Sequence, residues 1–191
     1  MHIEPGVVTG AKLALGSVTA AGAATVSAKM VWENLVQRGA ASLIARSAMA
    51  TAATFVFFEL LPHLAVGPSE VHLILGSTLL LMLGTAPAAV GLALGLLLQG
   101  LLMSPTDLPQ YGMNVTTLLV PLLALHVVTK SVVARGTAYV DLTYTQALKL
   151  STTYQAGVVA CLGRRCQHVH AGVAVDLWRS LHDRRADRTA G

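Results

Sequence analysis

HLILGSTLLLMLGTAPAAVGLALGLLLQGLLM, residues 72–103, is almost wholly apolar and is interrupted once, at Gly84-Thr85-Ala86-Pro87. A single crossing of a hydrocarbon core of roughly 30 Å takes about 20 apolar residues, so this run is too long for one helix. It predicts two antiparallel helices joined by a tight cytoplasmic turn at the interruption. Working outward, no Lys or Arg occurs between Arg46 and Lys130, and the only acids there are Glu59, Glu70 and Asp107. Over the whole chain 54% of residues are hydrophobic and 12% are charged, with a mean hydropathy of +0.64; soluble domains carry about 25% charged residues. Lipid is therefore the main solvent. The expectation is an all-α, polytopic membrane helical bundle with about six transmembrane helices, a single membrane-embedded domain over 1–163 followed by a basic polar tail over 164–191.

The remaining helices follow from apolar runs and the position of cations. A first helix reads from about Val7 to Ala28, rich in the small residues that let membrane helices approach closely. Lys29 to Arg46 reads as a polar connector, cytoplasmic by the positive-inside rule, which sets the N-terminus outside. A second helix runs from about Ser47 to Val66, and Pro62, Gly67 and Pro68 give a non-helical external segment up to Val71. Ser104 to Gly112 has turn residues and no cation, which suits an external loop. A fifth helix covers about Val115 to Ala134, closed on the cytoplasmic side by Lys130 and Arg135, and a last apolar run spans Ala147 to Gly163. A sixth crossing there sets Arg164, Arg165 and the polar tail from Arg179 to Gly191 outside, against the charge rule, unless Ala171–Trp178 re-enters or the Ala147 run does not span. The sequence leaves these arrangements open.

Several classes of function are excluded. The net charge of +4 and pI near 9.4 come from cations at segment ends and in the tail, which membrane anchoring explains; there is no nucleic-acid footprint. No Gly-x-x-x-x-Gly-Lys-Ser/Thr pattern occurs, so the chain does not hydrolyse ATP in the usual way. Cys161 and Cys166 fit neither a disulfide framework nor a C-x-x-C pair. With His168 and His170 they offer soft-metal ligands, but at no familiar zinc spacing, and chance proximity explains them better. Met1 to Ala11 lacks a cationic stretch ahead of an apolar one, so no secretory signal is expected and Met1 is read as the mature N-terminus.

The pattern that carries chemistry is Met1-His2. A free amine with a pKa near ~7.7–8.0 and an imidazole near ~6.5, with the amide nitrogen between them, form fused chelate rings around a metal. Three nitrogens in one plane favour Ni(II), Cu(II) or Co(II) over Mg(II) or Ca(II). His63 and His72 lie at the same expected end, and His72, at the start of the third helix, is the choice for a fourth nitrogen. Taken alone, His2 is better explained as an accidental second residue on a frayed N-terminus than as a ligand. His63 and His126 read as interfacial or helix-packing histidines, and Glu59 as an intramembrane charge near the metal path or a side chain snorkelling to the interface.

Met1-His2-Ile3-Glu4-Pro5-Gly6 resembles the Met-His-Ile-x-x-Gly opening of the CbiM/NikM family, the substrate-binding membrane components of energy-coupling-factor nickel and cobalt transporters. Val71 to Gly84 resembles that family's histidine followed by a glycine-containing helix, and Leu96 to Leu102 its glutamine-bearing helix. Tyr111 to Val115 resembles its Gly-x-Asn turn, with Val120-Pro121-Leu122 falling where a glycine-proline pair is usual. The order agrees from residue 1 to about 126. The resemblance implies Met1, His2 and His72 as metal ligands and Gln99 and Asn114 as polar groups around them. Ni(II) or Co(II) would be the transported substrate, with no catalytic cofactor. It also implies separate ATPase subunits and a coupling transmembrane subunit as partners, and a multi-pass place in the cell (inner) membrane. Two features depart from the family: Pro68-Ser69-Glu70 in place of a small-residue approach to the histidine, and an end poor in long apolar helices.

A rival reading is an intramembrane metalloenzyme with Glu59 and His63 at i and i+4 on one helix face and His72 completing the centre. A third is a structural subunit that binds no metal.

Overall fold

The computed structural model describes residues 11–60, 64–66, 69–71, 76–134, 137 and 139–161. The first helix, α1, is Ala11–Arg38 and the second, α2, Ala40–Leu60. The polar connector expected over 29–46 is therefore helical on both sides of one residue. Between Lys29 and Arg38 there is neither glycine nor proline, and Lys29 and Glu33 pair at i,i+4, 3.9 Å apart. Helix propensity over that stretch wins until Gly39, whose φ of 79° is the left-handed turn that ends a helix at little steric cost. Gly39 N–H donates to the Leu35 carbonyl at 2.9 Å. With 28 residues α1 is about 42 Å long, so its polar end extends past any 30 Å core.

Beyond Leu60, where helix had been expected to Val66, strands β1 (Leu64–Val66) and β2 (Ser69–Val71) pair antiparallel with Leu64 opposite Val71. This two-stranded ribbon is the one departure from all-α structure among the described residues. α3 is Gly76–Leu83 and α4 is Thr85–Leu102, divided where the sequence predicted. Gly84, at φ 92°, makes the break, and Pro87 sits in the first turn of α4, where its missing N–H has no helical partner to lose. The expected 104–112 loop holds a 3-10 helix, Pro105–Gln110, and α5 runs Tyr111–Val132, so the Gly112-Met113-Asn114 triplet is helical rather than a turn. A last helix, α6, covers 144–161. It opens on a reciprocal cap: Thr143 N–H donates to Gln146 Oε1 at 3.0 Å, and Gln146 N–H to Thr143 Oγ1 at 3.3 Å.

Pairwise contacts fix the directions of the helices. Gly91 packs on Ala50, and a Cβ on Gly95 would lie 2.6 Å from Thr54 Cβ, so α2 and α4 run parallel in backbone-close contact. Tyr111 Oη donates to the Ala93 carbonyl at 2.8 Å and Thr85 Oγ1 meets His126 Nδ1 at 2.7 Å, so α5 runs back against α4. Gln146 Nε2 donates to the Val132 carbonyl at 3.0 Å and Gly157 faces Pro121, so α6 returns along α5. Ala20 of α1 lies beside Gly112 of α5. The core is Leu79, Leu80, Leu92, Leu96, Leu118, Leu122, Leu125, Leu150, Tyr154 and Val158 with small residues between. Lipid tails are as apolar as leucine, so close packing rather than water exclusion holds such helices together. α2, α4 and the 108–132 segment are long and apolar enough to cross a membrane by length and composition.

Candidate metal-capture site

These directions collect the start of α1, the β1–β2 ribbon, the start of α3, the 3-10 helix and the end of α6 at one end of the bundle. Gly39, Gly84, the end of α5 and the start of α6 lie at the other. Arg38, Arg46, Lys130 and Lys149 belong to that second end. Glu59, exposed at the next-to-last position of α2, belongs to the first, as do the chain positions of Glu70 and Asp107. Lys12, in the first turn of α1, belongs to the first end as well.

Met1, His2, His63 and His72 lie outside the described residues, as do Cys166, His168 and His170. Among the described residues no three His, Cys, Asp or Glu side chains converge on a metal position. Of the hydrolytic reading's residues only Glu59 is described, and its exposure at its helix end fits the snorkelling alternative.

Gln99 and Asn114 are both described. Gln99 lies in the last turn of α4 and Asn114 in the first turn of α5, both at the first end, with 4% and 2% of their surface exposed. The structure brings them to one level of the bundle because α4 and α5 are antiparallel and joined by the short 3-10 helix. Among the described residues Asn114 Oδ1 has no hydrogen-bond partner. A buried carboxamide oxygen in that condition is a costly group to keep unless something else uses it. His126 is accounted for by its contact with Thr85 near the far end, as a packing histidine.

Two groups escaped the sequence reading. Arg46, taken as a loop cation, is held inside the far end: Nε donates to the Ser42 carbonyl at 3.1 Å, one terminal nitrogen to the Leu83 carbonyl at 2.9 Å, the other to Asn34 Oδ1 at 2.9 Å. It ties α1 and α2 to the end of α3. Tyr154, within a run read only as apolar, is fully buried with its hydroxyl unpartnered among the described residues. Tyrosine in an apolar helix was the available signal, since its hydroxyl ordinarily demands a partner.

The family described as cobalt uptake substrate-specific transmembrane region, CbiM, matches residues 2–176. The chain belongs to the CbiM family. No curated protein and no solved structure matches it. The family match extends from His2 past α6, well beyond residue 126, to which the ordered motifs had been traced. A CbiM-family chain is a membrane component of cobalt or nickel uptake, a transporter part rather than an enzyme, and the three long apolar helices agree with that role.

Proposed function

We propose that this chain is the substrate-binding component of an energy-coupling-factor importer, capturing Ni(II) or Co(II) through the Met1 amine, the His2 amide and imidazole, and the imidazole of His72. The observation that carries this reading is topological: the helix that follows Met1-His2 and the strand that precedes His72 reach the same end of the bundle as buried Gln99 and Asn114. The chelate supplies three nitrogens from consecutive atoms of one strand of chain, and His72 closes the plane. Square-planar nitrogen ligation suits a late first-row divalent ion and rejects hard cations. Gln99 and Asn114 orient the ligands by hydrogen bonding.

The end with Arg38, Arg46, Lys130 and Lys149 faces the cytoplasm of a multi-pass inner-membrane protein and the end with Glu59 faces outward; the positive-inside rule favours this for the loops after α1 and α5, against the chain positions of Lys12, Arg164 and Arg165. Capture at the outer end is followed by inward delivery driven by separate ATPase subunits through a coupling membrane subunit, since the chain carries no phosphate-binding loop. The decisive experiment adds one alanine ahead of Met1, or acetylates its amine, and titrates the purified protein with Co(II) and Ni(II). Both changes remove a ligand, and tight binding is expected to vanish; binding that survives them refutes the site. His72→Ala is expected to weaken binding in the same titration.

A further inference from the structure

Beside the α2–α4 contact lies an apolar groove lined by Val31 of α1, the face of α2 from Leu43 to Phe55, and Leu94 and Leu98 of α4. From Leu43 to Phe55 is about 18 Å of helix, more than half of a hydrocarbon core of roughly 30 Å. Its middle is made of small residues, Ser47, Ala48, Thr51 and Ala52, of which Ala48 and Ala52 are exposed. Apolar walls alone are what lipid covers. Ser47 does not suit lipid: it lines the groove with only 8% of its surface exposed, and its Oγ has no hydrogen-bond partner among the described residues. The nearby hydroxyls of Thr51 and Thr54 each donate to the carbonyl four residues back, at 2.8 Å, and Ser47 forgoes that bond. Ser47 lies about 10 Å along α2 from its start, at the level of acyl chains, which offer a hydroxyl nothing to bond.

We infer that this groove seats a transmembrane helix of the coupling membrane subunit, which fills it with side chains and bonds Ser47 Oγ with a polar group. Small residues let two helix backbones approach closely in lipid, and serine hydroxyls bond across such contacts. The hydroxyl both donates and accepts, so a carbonyl, hydroxyl or carboxamide on the incoming helix satisfies it. A second copy of this chain does not fit, because a two-fold contact sets the same concave face against itself and leaves the groove unfilled. The groove starts one turn from Gly39, at the end proposed above to face the cytoplasm, where ATP-driven movement reaches the chain. The inference rests on the importer reading given above.

The test measures association of the full chain with its coupling and ATPase subunits in lipid nanodiscs, alongside Co(II) titration of the chain alone. Ala48→Leu combined with Ala52→Leu fills the groove and is expected to weaken association about tenfold or more, as overpacking of a close contact does. Ser47→Ala adds no bulk and is expected to weaken it about three- to tenfold, the range for a hydrogen bond between membrane helices. Both variants should keep the wild-type Co(II) affinity and melting temperature when alone. A photoreactive benzophenone side chain at position 48 should crosslink to the coupling subunit, and one at Val127, exposed on α5, should not. Wild-type association in either variant overturns the inference, as do adducts at position 48 with lipid only or with a second copy. If the wild-type chain binds Co(II) yet forms no complex, the importer reading falls and this inference with it; if the complex forms and the variants assemble normally, only the groove assignment falls.

Discussion

Asn114 is a short side chain with a long reach in consequences. Its buried Oδ1, unpartnered among the described residues, faces a cost of about 1–3 kcal/mol that a ligand-orienting hydrogen bond would remove. Asn114→Ala is expected to weaken Co(II) binding about tenfold or more, without lowering the melting temperature of the protein; calorimetric titration alongside a melting curve checks both. Arg46 predicts the reverse. Arg46→Ala leaves the Leu83 carbonyl and Asn34 without their donor, so a loss of about 1–3 kcal/mol in unfolding stability is expected with Co(II) affinity unchanged. Proton competition gives a third expectation. The proposed ligands must be deprotonated to bind, and free amine and imidazole titrate near ~7.7–8.0 and ~6.5. Affinity should therefore fall steadily as pH drops from about 8 to 6, with protons released on binding; a pH-independent titration would contradict an amine and imidazole ligand set.

Helices meet here where glycine permits. Gly91 and Gly95 press α4 onto the backbone of α2 at Ala50, Thr51 and Thr54, so Gly91→Val is expected to force the helices apart and cost upwards of ~1–3 kcal/mol. Gly22, with open space around it, is the control: Gly22→Ala should hold or slightly raise stability. Element boundaries show what was legible beforehand and what was not. The division of 72–103 was readable because Gly84 and Pro87 have local conformational demands. The helical continuation of α1 through Lys29–Arg38 was not, because a polar stretch outside a lipid core can be loop or helix, and only the run of helix formers up to Gly39 decides. The β1–β2 ribbon lay in a segment that composition marked as interrupted without saying how. Tyr154 was hidden for a related reason: its ring packs against Gly76, a long-range contact that no local pattern encodes.

For the molecule entire, hydropathy and the cation gap between Arg46 and Lys130 were enough to give the class, and the family match over 2–176 extends the reading to metal uptake. The candidate ligands were legible only as a dipeptide and a resemblance, since chelation by a chain terminus has no spacing signature. Orientation is testable directly. In a background with Cys161 and Cys166 replaced by serine, a cysteine at Gly39 should be labelled by membrane-impermeant reagent only from the cytoplasmic side, and one at Thr106 only from outside; the opposite pattern would invert the proposed entry face.

The contact between α2 and α4 has a mechanical corollary. Two parallel rods interlocked at backbone distance over several turns resist sliding past one another, so they behave as a single stiff plank. Any rearrangement of the bundle that admits an ion is then expected to move other helices around that plank rather than shear α2 against α4.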